Sequence, residues 1–472
     1  MASMAEDPTD GGRTGVLAPA YRATSIGLFL VVTLVGFEAL AIATVLPQVS
    51  RDLDGIRLYG WVFSAFLLAS LLGIVLAGRL ADRYGPERPF LLGLVLFCVG
   101  LVIGGLTPSM PVLVLGRAVQ GFGAGVIPAV LYVVIGRAYP SALQPRMFAL
   151  MSTAWVLPSL FGPPIAALIA SALGWRWVFL ALLPVVLVAG GLAAPSMRHL
   201  RPVPQDPDAE PPAAPRDAVL VALGAGLLLG GLTATRWYVL VVLVTVGLVA
   251  GVGAFRRLTP TGTMRARPGP PAAVLARGML TFAFFGVDAF VTLAVQEVRG
   301  GSVALGGLAL AAGGIAWTTA SWTQQHVIHR VGAARLVRTG FAVLGGAILL
   351  FSLALLPAVP IATFVLAWAV AGFGVGLAYA PISLVVLGAA EPGREGHASA
   401  AIQLTDVLGC ALGIGVGGAL VAWGEGAGWA PASALHLGAT IDLAVALVGV
   451  LIASRLHRPG VAVPKPATNP AT

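Results

Sequence analysis

Four carboxylates interrupt stretches that are otherwise almost free of charge: Glu38, Asp288, Asp406 and Asp442. A charged side chain at the centre of a lipid-embedded helix costs roughly 2.5–3.5 kcal/mol on insertion scales, so an acid kept there reads first as functional. Desolvation favours the neutral form of a carboxylic acid. A carboxyl group in such a place can hold a proton while dry and surrender it on meeting water, which is the chemistry of a coupling ion. A cationic molecule competing for the same carboxylate would turn that cycle into exchange. Each acid also has a plainer reading, as a structural group held neutral or paired, or as the lining of a wet cavity.

Arg117 carries the same cost inside its segment and needs a partner. It either tunes the proton site or pins the fourth segment to the first by bonding carbonyls or Glu38. Trp61, Phe63, Trp155, Phe284, Trp317 and Tyr379 are candidates to line an apolar cavity for flat or cationic molecules, although a core or lipid-facing place is the ordinary one for any single ring. His326 and His329 read as interfacial residues at a helix end. Cys98 and Cys410 both fall in apolar runs, so small-residue packing is expected rather than a disulfide or a metal. There is no clustered nucleophile, base or metal set, and no Gly-x-x-x-x-Gly-Lys phosphate loop. An enzyme and an ATP-driven pump are therefore not expected, nor any cofactor besides protons. A signalling protein would need a sizeable soluble domain, which the chain lacks.

The elements that must hold these residues follow from composition. The 472 residues are 58% hydrophobic and 10% charged, with mean hydropathy +0.93. Soluble domains carry about 25% charged residues, so lipid must solvate much of this surface. A bilayer core needs about 20 apolar residues per helix. Qualifying runs lie at 25–47, 59–77, 90–107, 111–136, 147–172 and 177–195, then 218–235 and 237–255, then 274–297, 303–325, 337–356, 361–388, 397–423 and 434–455. Six, two and six give fourteen spans and place both termini on one side. The first span is too long to be the apolar part of a cleaved leader.

The formal charge of +9 comes from arginines set singly at segment ends, which argues for topology and against a nucleic-acid patch. Twenty-two of the 28 basic residues, including Arg277, are assigned to the tails and the loops on their side, five to the opposite loops, and Arg117 alone to mid-span. That bias puts both termini in the cytoplasm.

The chain also repeats itself. Gly36-Phe37-Glu38-Ala39-Leu40 returns as Gly286-Val287-Asp288-Ala289-Phe290, 250 positions on. Gly121-Phe122-Gly123-Ala124-Gly125 returns as Gly372-Phe373-Gly374-Val375-Gly376, and Gly162-Pro163-Pro164 has its counterpart at Gly413-Ile414-Gly415, both 251 positions on. Duplicated bundles with an acid in each first helix suit a transporter rocking about a midplane site. Gly162-Pro163-Pro164 is expected to kink its helix and admit close neighbours. After the second span, Gly78-Arg79-Leu80-Ala81-Asp82-Arg83-Tyr84-Gly85 forms a short loop. Asp82 can meet a helix N-terminus while the arginines grip acids or helix C-termini, a latch that biases one conformation.

This last stretch resembles the loop signature of the major facilitator superfamily, with Pro86-Glu87 standing where that family has basic residues. Its second copy, Gln325 to Gly332, has His329 in place of the aspartate. Three further stretches resemble the fourteen-helix drug:proton antiporter branch. They are Glu38 through Pro47, Arg117 with Gln120-Gly121, and Pro158-Ser159-Leu160-Phe161-Gly162-Pro163-Pro164. Glu38 replaces the usual aspartate, Pro158 a leading glycine, and Ala166-Ala167 a glycine pair. Trp61 to Ala69 and Trp175-Arg176-Trp177-Val178-Phe179 are also similar, and the ordered set covers about residues 25–458.

The resemblance implies a two-bundle all-α membrane fold with two extra central helices, exporting small amphipathic drug-like or natural-product molecules in exchange for protons from a bacterial inner membrane. The expected organisation is a tail (1–24), a six-helix bundle (25–200), a linker with two helices (201–273), a second bundle (274–458) and a tail (459–472), working as a monomer. Uptake or exchange of a polar metabolite is the competing reading, and it would want more polar helices.

Overall fold

The computed structural model describes residues 15–19, 21–140, 143–154, 156–200, 215–389 and 395–456. Arg13, Trp155, Arg201, Arg394, Arg458, Lys465 and the tail 459–472 lie outside the described residues, as do the side chain of Asp82 and the burial of Gly78. What is described is helical, without strands. Its α-helices are α1 (Arg22–Asp52), α2 (Tyr59–Tyr84), α3 (Glu87–Leu106), α4 (Met110–Ala138), α5 (Gln144–Thr153), α6 (Val156–Leu173), α7 (Arg176–Leu180) and α8 (Leu182–Ala193). After a linker come α9 (Pro215–Leu232) and α10 (Trp237–Leu258). The second half holds α11 (Pro270–Leu293), α12 (Val303–Val331), α13 (Ala333–Ala354), α14 (Thr363–Leu387), α15 (Glu395–Gly426) and α16 (Pro431–Ala453).

Along the expected span 147–172 the structure describes α5, ending at Thr153, and α6, starting at Val156. Pro163 and Pro164 lie within α6.

Twelve helical segments are long and apolar enough to cross a membrane, among the described residues. The fifth and seventh expected spans fall outside that set. Both α6 and α9 have 18 residues, as does the counted segment Arg176–Ala193, so length does not set them apart.

The two halves pack by one plan. In the first, α4 lies between α2 and α3, and α1 packs on α6 and α8; in the second, α14 lies between α12 and α13, and α11 packs on α15 and α16. The repeated glycines build this plan. A Cβ at Gly121 would sit 2.6 Å from Phe66 Cα on α2, and one at Gly123 2.6 Å from Phe97 N on α3. In the second half, a Cβ at Gly372 would sit 2.9 Å from Gly313 Cα on α12, and one at Gly374 2.8 Å from Leu344 N on α13. Only hydrogen fits where helix backbones touch, as in small-residue packing generally.

The halves meet at two seams, α2 against α15 and α6 against α12. The extra pair is placed asymmetrically. Helix α9 lies over the α2–α15 seam, where Leu68, Leu71, Val221, Ala225, Leu229, Leu404 and Ala411 form small apolar cores. Helix α10 covers α9 and buries only Gly247 and Ala254, turning Trp237, Val241, Val242 and Val249 outward. Such an apolar outer face is stable only in lipid.

The starts of α1, α3 and α11 gather with the ends of α4, α8 and α16 at one face, here called the terminal face. Ser25 Oγ lies 2.8 Å from Tyr139 OH, Arg198 Nε donates to Glu87 Oε1 at 3.1 Å, and Gly269 N donates to Arg455 O at 2.9 Å. Glu87, the departure from the loop signature, therefore ties α3 to the end of α8. Gly85 and Gly332 end α2 and α12 at φ +77° and +85°, a conformation that glycine adopts freely.

Candidate functional site

Near the middle of the first bundle Glu38 on α1 and Arg117 on α4 form a buried ion pair, 1% and 2% exposed. Arg117 Nη1 donates to Glu38 Oε1 and, at 2.6 Å, to Gln120 Oε1 one turn along α4. Its Nε donates to Val62 O at 3.2 Å, and the guanidinium lies 4.2 Å from the Phe66 ring centroid. Arg117 is thus bonded to both α1 and α2, and cradled from beneath by an aromatic face. Glu38 Oε2 has no hydrogen-bond partner, and neither does Gln120 Nε2. One carboxylate oxygen is bonded and the other has no hydrogen-bond partner.

The second half repeats this arrangement with different chemistry. Asp288 Oδ1 on α11 accepts a 2.6 Å hydrogen bond from Trp368 Nε1 on α14. Trp368 stands 251 positions after Arg117, the offset of the glycine repeats. Each half therefore carries an acid on its first helix bonded by a donor from its fourth, a cation in one and a neutral indole in the other. The Trp368 ring stacks on Phe284 at 5.3 Å, Phe284 meets Trp317 edge-on at 5.5 Å, and Trp317 meets Tyr379 at 5.2 Å.

That aromatic row ends at a third polar cluster. Arg277 on α11 donates to Ser383 Oγ and lies 3.4 Å from the Tyr379 ring centroid. Its Nε stands 3.7 Å from Asp406 Oδ1, and Tyr379 OH donates to Asp406 Oδ2 at 2.9 Å. Arg277 belonged with the loops in the sequence reading. The structure corrects this: it is 2% exposed inside α11, so among the described residues two arginines, Arg117 and Arg277, are buried among helices. Position 277 falls within the expected span 274–297, and only the count of basic residues had placed it with the loops.

Asp442 stands apart, 4% exposed on α16 among Gly286, Val287, Phe290, Phe351, Gly417 and Gly438. A Cβ at Gly286 would sit 2.5 Å from its Oδ1. Residues two apart on a helix point about 200° apart, so Asp442 approaches α11 from the side opposite Asp288. Trp61 turns to the hairpin, donating to Thr233 Oγ1 at 3.3 Å, and Phe63 packs by Tyr59 at 6.2 Å. His326 and His329 are exposed towards the end of α12. Arg83 lies over Tyr84 at 5.3 Å. Pro158, Gly162 and Pro163 are buried and Pro164 is exposed. A Cβ at Gly162 would lie 3.6 Å from Leu40 Cβ, so this motif faces α1 two residues from Glu38.

Across the halves, polar contacts gather on the face opposite the termini. Thr292 Oγ1 donates to Ala43 O at 2.5 Å, Tyr59 OH to Ala289 O at 3.1 Å, and Ser64 Oγ to Ala411 O at 3.0 Å. Arg51 pairs with Glu297 at 3.1 Å and Arg57 with Glu425 at 4.0 Å. Gly60 and Gly418 are so close that a Cβ on either would fall 2.7 Å from the other's Cα. Asp288 lies one turn before Thr292 on the same face of α11, so it looks towards the junction with α1.

The Major Facilitator Superfamily model matches residues 28–414. The chain belongs to that superfamily. It is a multi-pass membrane transporter, 27% identical to the "Probable multidrug-efflux transporter Rv1634" of Mycobacterium tuberculosis (strain H37Rv) over 96% of this chain and 99% of that one. Among solved structures it resembles the POT family transporter PepTSo (TM-score 0.68, 16% identity, 91% of this chain and 97% of that one). It also resembles an inward-facing bacterial homologue of the human lysosomal transporter Spinster (TM-score 0.64, 18% identity, 93% and 96%). At such identities the last two show a shared fold. The partners that sequence reasoning missed are Trp368, Ser383 and the burial of Arg277. The repeat offset pointed to Trp368; nothing pointed to Ser383.

Proposed function

We propose that the transporter exports small amphipathic, drug-like molecules in exchange for protons by alternating access. The observation carrying this reading is the pair of repeat-related acids, Glu38 held by Arg117 and Asp288 held by Trp368, in two bundles whose polar contacts gather at one face. Glu38 acts as the principal proton carrier. Its second oxygen is free, and Arg117 holds the other in place whether or not a proton is bound. Asp288 receives protons or the cationic part of a substrate beside an aromatic row, which suits flat cations. Asp406 and Asp442 are secondary carriers in this scheme, and protons are the only cofactor.

The arginine bias favours cytoplasmic termini, so the face where polar contacts join the two halves is the outer one. Fourteen crossings, with α6 and α9 spanning a locally thin bilayer, keep both termini on that side. The chain works as a monomer in the bacterial inner membrane. Relatives named as multidrug-efflux transporters support the direction of transport.

The test uses purified protein in liposomes with an imposed pH gradient and a fluorescent lipophilic cation. Wild type should move dye against its gradient at the expense of the proton gradient, without ATP. Glu38→Gln should insert normally and lose this activity. Normal dye movement by the Gln variant would remove Glu38 from coupling.

A further inference from the structure

Resting on that exporter reading and deepening it, we propose that Arg277 is a docking site for a carboxylate on the transported molecule, so that the cargo includes amphipathic zwitterions and not only cations. Three observations converge. Arg277 is 2% exposed, yet its Nε and Nη1 have no hydrogen-bond partner. Asp406 Oδ1, 3.7 Å from Arg277 Nε, also has no hydrogen-bond partner, so the two charges form a loose ion pair without closing a hydrogen bond. The remaining contacts hold the guanidinium fork in place: Ser383 takes Nη2, and the Tyr379 ring lies flat beneath at 3.4 Å. Nε and Nη1 lie on different edges of the planar guanidinium, so an incoming carboxylate bonds one of them together with the remaining N–H of Nη2.

Asp406 is the resident occupant of this site. Its side chain is 23% exposed, and Tyr379 OH gives it a second place to rest. An incoming carboxylate takes the Arg277 N–H groups while Asp406 turns to Tyr379 and the open side. Two carboxylates beside one guanidinium repel, so Asp406 weakens the site by its charge. The aromatic row from Tyr379 through Trp317 and Phe284 to Trp368 then runs from Arg277 to Asp288. A flat molecule with an anion at one end and a cation at the other fits that order. No counterpart exists in the first half, where Gly27 occupies the position 250 before Arg277.

The experiment measures fluorescence anisotropy of rhodamine B and of rhodamine B ethyl ester with the purified full-length transporter. The two dyes differ only in whether the carboxylate is free. Arg277→Gln should weaken rhodamine B binding by about tenfold or more, the loss of one charge-assisted bond pair, and change the ester by less than about twofold. Asp406→Asn should tighten rhodamine B, a change of opposite sign that a misfolded variant would not give. Equal losses for both dyes, no change in either, or weaker rhodamine B binding by Asp406→Asn would overturn the proposal. So would a wild type that binds the ester but not rhodamine B, leaving the exporter reading intact. Arg277-dependent binding without proton-driven export would do the reverse.

Discussion

Removing the guanidinium at position 117 isolates the energetics of the first-half pair. Arg117→Met keeps an apolar stem beside Phe66 and deletes every donor to Glu38, Gln120 and Val62. Glu38, 1% exposed, then has no cation to offset its charge. Breaking a buried ion pair in this way costs about 3–5 kcal/mol. A chain of 472 residues gains roughly 1 kcal/mol per kelvin of unfolding entropy at about 2.1 cal/mol/K per residue. The apparent melting temperature in detergent should therefore fall by about 3–5 °C. Adding Glu38→Gln removes the orphaned charge. The double variant should recover part of the loss, with a coupling energy of about 1–3 kcal/mol. Full recovery is not expected, because the Arg117 contacts to Val62 O and the Phe66 ring are gone. Size-exclusion thermal-shift curves on wild type, both single variants and the double variant supply the cycle. Additive single effects, with coupling under about 0.5 kcal/mol, would show that Glu38 and Arg117 do not stabilise one another, and the description of the site as an ion pair would fail.

Trp368→Phe keeps the stack on Phe284 and loses only the N–H to Asp288, a bond worth about 1.5–3 kcal/mol if Asp288 is charged. Dye export in liposomes should drop about tenfold with little thermal shift, and unchanged export would leave that bond without a role. Gly121→Ala and Gly372→Ala place a methyl within 2.6–2.9 Å of a neighbouring backbone Cα and should each cost about 1–3 kcal/mol of thermal stability. Gly136→Ala, with nothing within 4 Å, should be silent in the same assay, and equal effects at all three would deny the glycines their packing role. Cysteines at Arg57 and Glu425, with Cys98 and Cys410 replaced, should cross-link the face where polar contacts join the halves and stop transport until reduced. Transport at the wild-type rate while cross-linked would rule out rocking at that face.

Much of this was legible in the chain itself. Hydropathy runs located the helices because lipid leaves a backbone no alternative to internal hydrogen bonding. The glycine repeats foretold duplicated packing, since contacts between helix backbones admit no side chain larger than hydrogen and so stay visible as residue types. The loop assignment of Arg277, which lies inside the expected span 274–297, failed because arginine looks alike whether it flanks a span or lies within it.

Residue types and spacing alone determined that this is a lipid-embedded, duplicated bundle with an acid in each leading helix. Only tertiary structure decided what each acid touches: Arg117 for Glu38, Trp368 for Asp288, and Tyr379 with a facing Arg277 for Asp406. It alone showed Asp442 on the far side of α11 and placed α9 over a single seam. The physical reason is distance along the chain. These partners stand 27 to 129 positions apart, and a hydrophobic pattern records which face of a helix is buried without recording which neighbour buries it.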